Sequence, residues 1–179
     1  MITAARRGRN AGSGFTVIEV LMVTALLGAL LALAMPNFTA FITKSRISGI
    51  TNQFLGDLSY ARSEAATRQA EVAICVSTNQ TACESGKSWD KGRIIFVDTN
   101  ADGAVSAGER VLRVSQAMSD TNVTASGFGA AEVVRFRPFG GLRPATAGSF
   151  KICPTSGTEG RSISVASSGR PMVAKVTCP

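Results

Sequence analysis

Asp98, Asn100, Asp102, Gly103 and Glu109 fall at the spacing D-x-[DN]-x-[DN]-G-x5-E, which gathers hard oxygens around a tight turn. Calcium takes about six to eight such oxygens at ~2.3–2.6 Å. Asp98, Asn100, Asp102, the Ala104 carbonyl and a bidentate Glu109 would supply most of them, and Val105 adds the apolar residue that follows the turn in loops of this kind. Such loops join two helices, whereas both flanks here, Ile94–Val97 and Val111–Val114, read as strands. A hairpin turn built from Asx turns and a positive-φ glycine is therefore the favoured reading, with weak calcium binding as the alternative.

A second constellation lies near the start of the chain. Residues 15–35 are almost wholly apolar, yet Glu19 sits among them. A carboxylate inside such a run is costly and needs a partner. Arg6, Arg7 and Arg9 precede the run with no acid among them. Cleavage after Gly14 would free a positively charged amine on Phe15, which could pair with Glu19 of a neighbouring copy. The run matches the ~20 residues that a membrane-crossing helix needs, and the basic leader would stay cytoplasmic. A secretory signal peptide cut after Ala32-Leu33-Ala34 is the alternative. The length of the run exceeds the usual ~7–15-residue apolar region of such peptides, and a Glu inside it is foreign to them.

Four cysteines, Cys75, Cys83, Cys153 and Cys178, fit an oxidising compartment and allow three pairings. Cys75–Cys83 with Cys153–Cys178 is favoured, because the first would close a short polar loop and the second would pin the C-terminus to a sheet. Zinc is the rival use, but the chain has no His and no C-x-x-C pair. The absence of His also excludes Ser-His-Asp and Cys-His catalysis. No Gly-rich loop precedes a helix as phosphate binding requires. These absences point away from an enzyme.

The formal net charge is +7, and it is unevenly placed. Residues 121–179 carry seven Lys/Arg against two Glu. Arg135, Arg137, Arg143, Arg170 and Lys175 are candidates for sequence-independent DNA binding through phosphates. Arg135 and Arg137 share one face of a strand, since side chains alternate with period two. Phe136 reads as core, and Phe139 is a candidate for the same role.

The elements that position these groups follow from periodicity. Beyond Pro36, Phe38, Phe41, Ile42, Ile47, Ile50, Phe54, Leu58, Ala61 and Ala65 recur mostly at steps of three and four, predicting a helix with one buried stripe. Arg46, Asp57, Arg62 and Glu64 are placed on its wet side, and the helix is expected to fade near Arg68 to Ala70. From Glu71 the period becomes two. Strands are predicted at Val72–Ser77, Arg93–Asp98, Arg110–Ser115, Glu132–Arg137, Ser149–Cys153, Ser162–Ala166 and Met172–Thr177. Segment 116–131 reads as a long loop or an irregular edge strand. The fold class is α+β: one long N-terminal helix packed against an antiparallel sheet. The expected organisation is a leader over 1–14, a transmembrane half-helix over 15–35, an amphipathic half-helix over 36–70 and a β-rich head over 71–179.

Gly14-Phe15-Thr16-Val17-Ile18-Glu19, behind its basic leader, resembles the cleavage signature of type IV prepilins. Within the head, Ala61-Arg62-Ser63-Glu64-Ala65, Ile74-Cys75, Trp89-Asp90-Lys91-Gly92, Phe96-Val97-Asp98, Gly108 to Arg113, Arg135-Phe136-Arg137-Pro138 and Ser168-Gly169-Arg170 are similar to the GspH/FimT family of minor pseudopilins and minor pilins. The resemblance implies a pilin-like fold and a single-pass protein of the bacterial inner membrane with a periplasmic head. Prepilin peptidase would cleave between Gly14 and Phe15 and methylate Phe15, and Glu19 would guide insertion into a growing filament. The implied partners are other pilin-like subunits, the inner-membrane assembly platform and membrane lipid. The implied machine is a type II secretion pseudopilus or a type IV pilus, and no cofactor is implied. Some FimT members bind DNA through Gly-Arg-x-Arg; this chain keeps Gly169-Arg170 but continues with Pro171-Met172.

Overall fold

A computed structural model of the chain describes residues 14–129 and 132–179, with the side chains of residues 33–37 outside that description. The basic leader with Arg6, Arg7 and Arg9 lies outside the described residues. The chain divides into two compact units, Met1–Phe41 and Ile42–Pro179. Helix α1 is Val17–Arg68, ending where the apolar stripe ends.

In the first unit Thr16 opens the helix. The Glu19 N–H donates to Thr16 Oγ1 at 3.3 Å, half of a T-x-x-E capping box. The described side chains from Phe15 to Leu31 are exposed, Phe15 at 83%. Among the described residues no helix is long and apolar enough to cross a membrane. The expected span, 15–35, extends into residues whose side chains lie outside the description; the described part, 15–32, is shorter than the ~20 residues a span needs.

In the second unit Ile47, Phe54, Leu58, Ala61 and Ala65 are buried at helical spacing. Phe38 and Phe41 in the first unit, and Ile42 in the second, were expected on the same stripe but are exposed. Among the described residues nine strands follow: β1 (Val72–Val76), β2 (Arg93–Val97), β3 (Val111–Ser115), β4 (Thr121–Gly127), β5 (Val133–Phe136), β6 (Leu142–Arg143), β7 (Gly148–Pro154), β8 (Glu159–Val165) and β9 (Pro171–Thr177). A short 3-10 turn, Trp89–Lys91, precedes β2. The single expected sheet is two sheets, both antiparallel, with strand orders β3-β2-β1-β5-β6 and β4-β7-β8-β9. Segment 116–131 contributes β4, an edge strand. Its Ser, Thr and Gly obscure the alternation, and Val123 is its one fully buried side chain.

One core joins the helix to both sheets. Phe54 from α1, Trp89 from the 3-10 turn and Phe150 from β7 meet with ring centroids 4.9–6.0 Å apart, and Phe128 lies 5.0 Å from Phe150. The first sheet is apolar on both faces. Ile74, Ile95 and Phe136 point to the main core. Ala73, Cys75, Ile94 and Phe96 point the other way and pack with Cys83, Val105, Val111 and Val133. Period two explains the division, and the segments carrying Cys83 and Val105 cover the outer face.

Candidate functional site

The acidic loop spans the gap between β2 and β3, which are paired antiparallel with a register shift at Ile95/Phe96. Gly103 has φ +79°, the left-handed conformation that glycine adopts freely. A Cβ there would lie 3.7 Å from Val133 Cγ1 and 3.9 Å from Arg135 Cδ, so the loop folds back over β5. The Gly103 N–H donates to Asp98 Oδ2 at 3.1 Å, and the Ala104 N–H to Asp102 Oδ1 at 2.7 Å. Glu109 crosses the loop: Oε1 accepts from the Thr99 N–H at 2.7 Å and Oε2 from the Ser106 N–H at 2.9 Å. Oxygens of Asp98, Asp102 and Glu109 lie within 4.8 Å of one another. Asn100 belongs to the same network through a 2.7 Å bond to Asp102 Oδ2. Burial pushes the Asp98 carboxyl above its ordinary range, and Glu109 and Asp102 add to the shift, against the opposing Gly103 N–H and Arg135.

The basic residues fall into smaller groups on different elements. Arg135 and Arg143 are register partners on β5 and β6. Arg135 Nη1 donates to the Ala101 carbonyl at 2.5 Å, and Arg143 is ion-paired with Glu71. Arg137 and Arg170 are exposed on two touching turns: Gly169, at φ +77°, has no room for a Cβ because Gly140 O occupies the space. Phe139, a candidate for the core, is 92% exposed on the first of these turns. Lys175 lines a different groove with Lys44 and Arg161, whereas Phe139 and Pro171 share a groove with Arg62. Lys44 and Arg62 are ~27 Å apart along α1 at 1.5 Å per residue. A DNA backbone would meet separate charges, two of them already engaged.

The cysteines pair as Cys75–Cys83 and Cys153–Cys178. The first clasps the segment after β1 to the outer face of the first sheet. The second ties β7 to the residue that follows β9.

Asp57, placed on the wet side of α1 by the sequence reading, is 2% exposed. It accepts from Arg93 Nε at 2.8 Å, from Ser115 Oγ at 2.8 Å and from Arg113 Nη1 at 3.3 Å. Arg93 is itself fully buried, with its guanidinium 4.0 Å over the Phe54 ring. The signal was present in the spacing: Asp57 stands three residues after Phe54 and four before Ala61, on the apolar stripe.

Residues 51–169 match the family described as type II transport protein GspH. The chain belongs to the GspH family. The fold agrees with the type IV minor pilin FimU of Pseudomonas aeruginosa in two crystal forms. One superposes with a TM-score of 0.58 at 24% identity, covering 75% of this chain and 92% of FimU. The other gives 0.53 at 27% identity over 71% and 91%. The fimbrial protein of Moraxella nonliquefaciens is 31% identical over 94 residues, 52% of this chain and 47% of that protein. The type IV major alpha-pilin of Moraxella bovis is 27% identical over 110 residues, 55% of this chain and 69% of that pilin. The chain thus spans about half the length of the first of these curated relatives. The expected pilin-like architecture, a long helix with antiparallel strands, is borne out, with two sheets in place of one.

Proposed function

We propose that this GspH-family chain is a non-catalytic minor subunit of a type II secretion pseudopilus or a type IV pilus, acting in filament assembly at the tip. The leader is removed between Gly14 and Phe15, and Phe15 is methylated by prepilin peptidase. The 15–35 segment holds the subunit in the inner membrane with its head in the periplasm. The assembly platform then moves it from lipid into the filament. There Glu19 pairs with the Phe15 amine of a neighbour, and Val17, Leu21, Leu26 and Leu30 pack against adjacent helices.

The observation that carries this reading is the exposed apolar helix. Phe15, Val17, Ile18, Leu21, Leu26 and Leu30 are all more than half exposed. A contiguous apolar surface of this kind marks a site for lipid or protein partners. Glu19 is exposed within it, and its carboxylate has no partner among the described residues. An unpaired carboxylate buried in lipid or protein is costly, so assembly requires a cation beside it.

Filaments sheared from the cell surface or isolated from secretion-competent cells test the proposal. A C-terminally tagged chain should co-sediment with a more abundant pilin-like subunit, and its N-terminal peptide should begin at methylated Phe15. A tagged chain that remains in the membrane fraction while filaments form normally without it would overturn the reading.

A further inference from the structure

We propose that the β2–β3 loop of the head is a calcium site formed by Asp98, Asn100, Asp102, Glu109 and the Ala104 carbonyl. The inference does not depend on filament assembly, because every ligand lies in one loop of the head.

The decisive observation is Asp98. Its side chain is fully buried, and its Oδ2 is satisfied by the Gly103 N–H. Its Oδ1 is buried with no hydrogen-bond partner, and the Asp98 carboxylate is one of the three in the cluster. A buried, unpartnered carboxylate oxygen beside two further carboxylates carries a desolvation cost and a repulsion that a cation would offset. The adjacent cation, Arg135, offsets part of that repulsion but makes no hydrogen bond to Asp98 Oδ1; its Nη1 donates to the Ala101 carbonyl at 2.5 Å.

The size of the cluster selects among cations. Two oxygens bound to one calcium lie at most about 5 Å apart, twice the ~2.3–2.6 Å bond, whereas two bound to magnesium reach only about 4.2 Å. The carboxylate oxygens here fall within 4.8 Å of one another, a span that suits calcium with little rearrangement. The donors are all oxygens, the hard set that calcium prefers. Gly103 turns the chain so that the Ala104 carbonyl follows directly, and Val105 anchors the loop by packing against the outer face of the first sheet. A loop between strands can therefore present the ligand order that such sites elsewhere hold between helices.

The full chain in detergent, freed of metal by chelation, is titrated with calcium chloride by calorimetry, and thermal unfolding is followed in parallel. One ion per chain should bind with Kd of about 10⁻⁴–10⁻³ M, the range of extracellular modules. Tm should rise by about 3–6 °C at tenfold excess over Kd, and magnesium should give a smaller rise. Asp98→Asn keeps an acceptor for Gly103 and removes one negative charge, so it should fold and lose the calcium response. Glu109→Gln, at a partly buried position, should do the same and decides the matter if Asp98→Asn fails to fold. No saturable heat and no Tm shift up to ~10 mM calcium, about tenfold above the weak end of that range, would overturn the proposal. So would a folded variant of either kind that retains wild-type affinity, or a magnesium response equal to that of calcium.

Discussion

Asp57 and Arg93 form a pair that neither could form alone. Burial pulls the Arg93 guanidinium below its ordinary pKa, and Asp57 opposes that shift through its charge and hydrogen bonds. The contact of Arg93 with the Phe54 ring and the bonds from Ser115 Oγ and Arg113 Nη1 to Asp57 surround the pair. Breaking a buried pair from one side leaves an uncompensated charge, at a cost of about 3–5 kcal/mol. Asp57→Ala should therefore lose that much in urea unfolding, a large share of a typical domain's ~5–15 kcal/mol. Replacing both partners with apolar residues should recover most of it. A loss below about 1 kcal/mol for Asp57→Ala would show the pair to be dispensable. At this scale the sequence was only partly legible. The acidic motif and the Cys75–Cys83 pair stood out because their spacing is local. The Asp57–Arg93 pair did not, because its members are joined only by packing of α1 against the first sheet.

The 3-10 turn Trp89–Lys91 shows how a short element holds larger ones. Trp89 enters the aromatic core, the Asp90 carbonyl accepts from the Met118 N–H at 2.8 Å, and Ser88 Oγ reaches the Val123 carbonyl of β4 at 3.0 Å. Burial of the Asp90 carboxyl raises its pKa, but the Ser88 hydroxyl and the Lys91 ammonium, 3.0 Å away, outweigh it and hold the value below the ordinary range. A depressed folded-state pKa means that this stability is present above the unfolded value of ~3.9 and is lost as pH falls through the folded one. In urea titrations across pH, the gap between wild type and Asp90→Asn should be constant above about pH 5 and should close on acidification below ~3.9. A gap independent of pH would assign Asp90 a purely steric role. The other elements were visible from the sequence to different degrees. Seven strands announced themselves by alternation or apolar runs, and the end of α1 by the close of its stripe. β4 gave little signal because one buried Val among Ser, Thr and Gly does not set a period. The division into two sheets depends on which strands pair, and alternation within a strand carries no information about that.

On the scale of the whole molecule, the chain assigns different chemistry to its two units. Ile42–Pro179 carries its own core: most of its large apolar side chains pack between the helix and both sheets, and two disulfides brace it. Met1–Phe41 leaves its described apolar side chains exposed. Membership in the GspH family and the FimU-like fold place the chain among pilin-like proteins, and under the proposed function the exposed helix is the surface that other copies or lipid would cover. Within the basic surplus of residues 121–179, Arg135 and Arg143 are already engaged inside the head, and Lys175 lines a groove with Lys44 and Arg161.

The central claim is that Glu19 joins one subunit to the next, and the most direct measurement is the amount of Glu19→Ala chain recovered in filaments relative to wild type, with the mass of the N-terminal peptide as control. A hydrogen-bonded charge pair contributes about 1.5–3 kcal/mol, so incorporation should fall by about tenfold or more while leader removal after Gly14 proceeds normally. Incorporation at the wild-type level, with the leader correctly removed, would contradict the account.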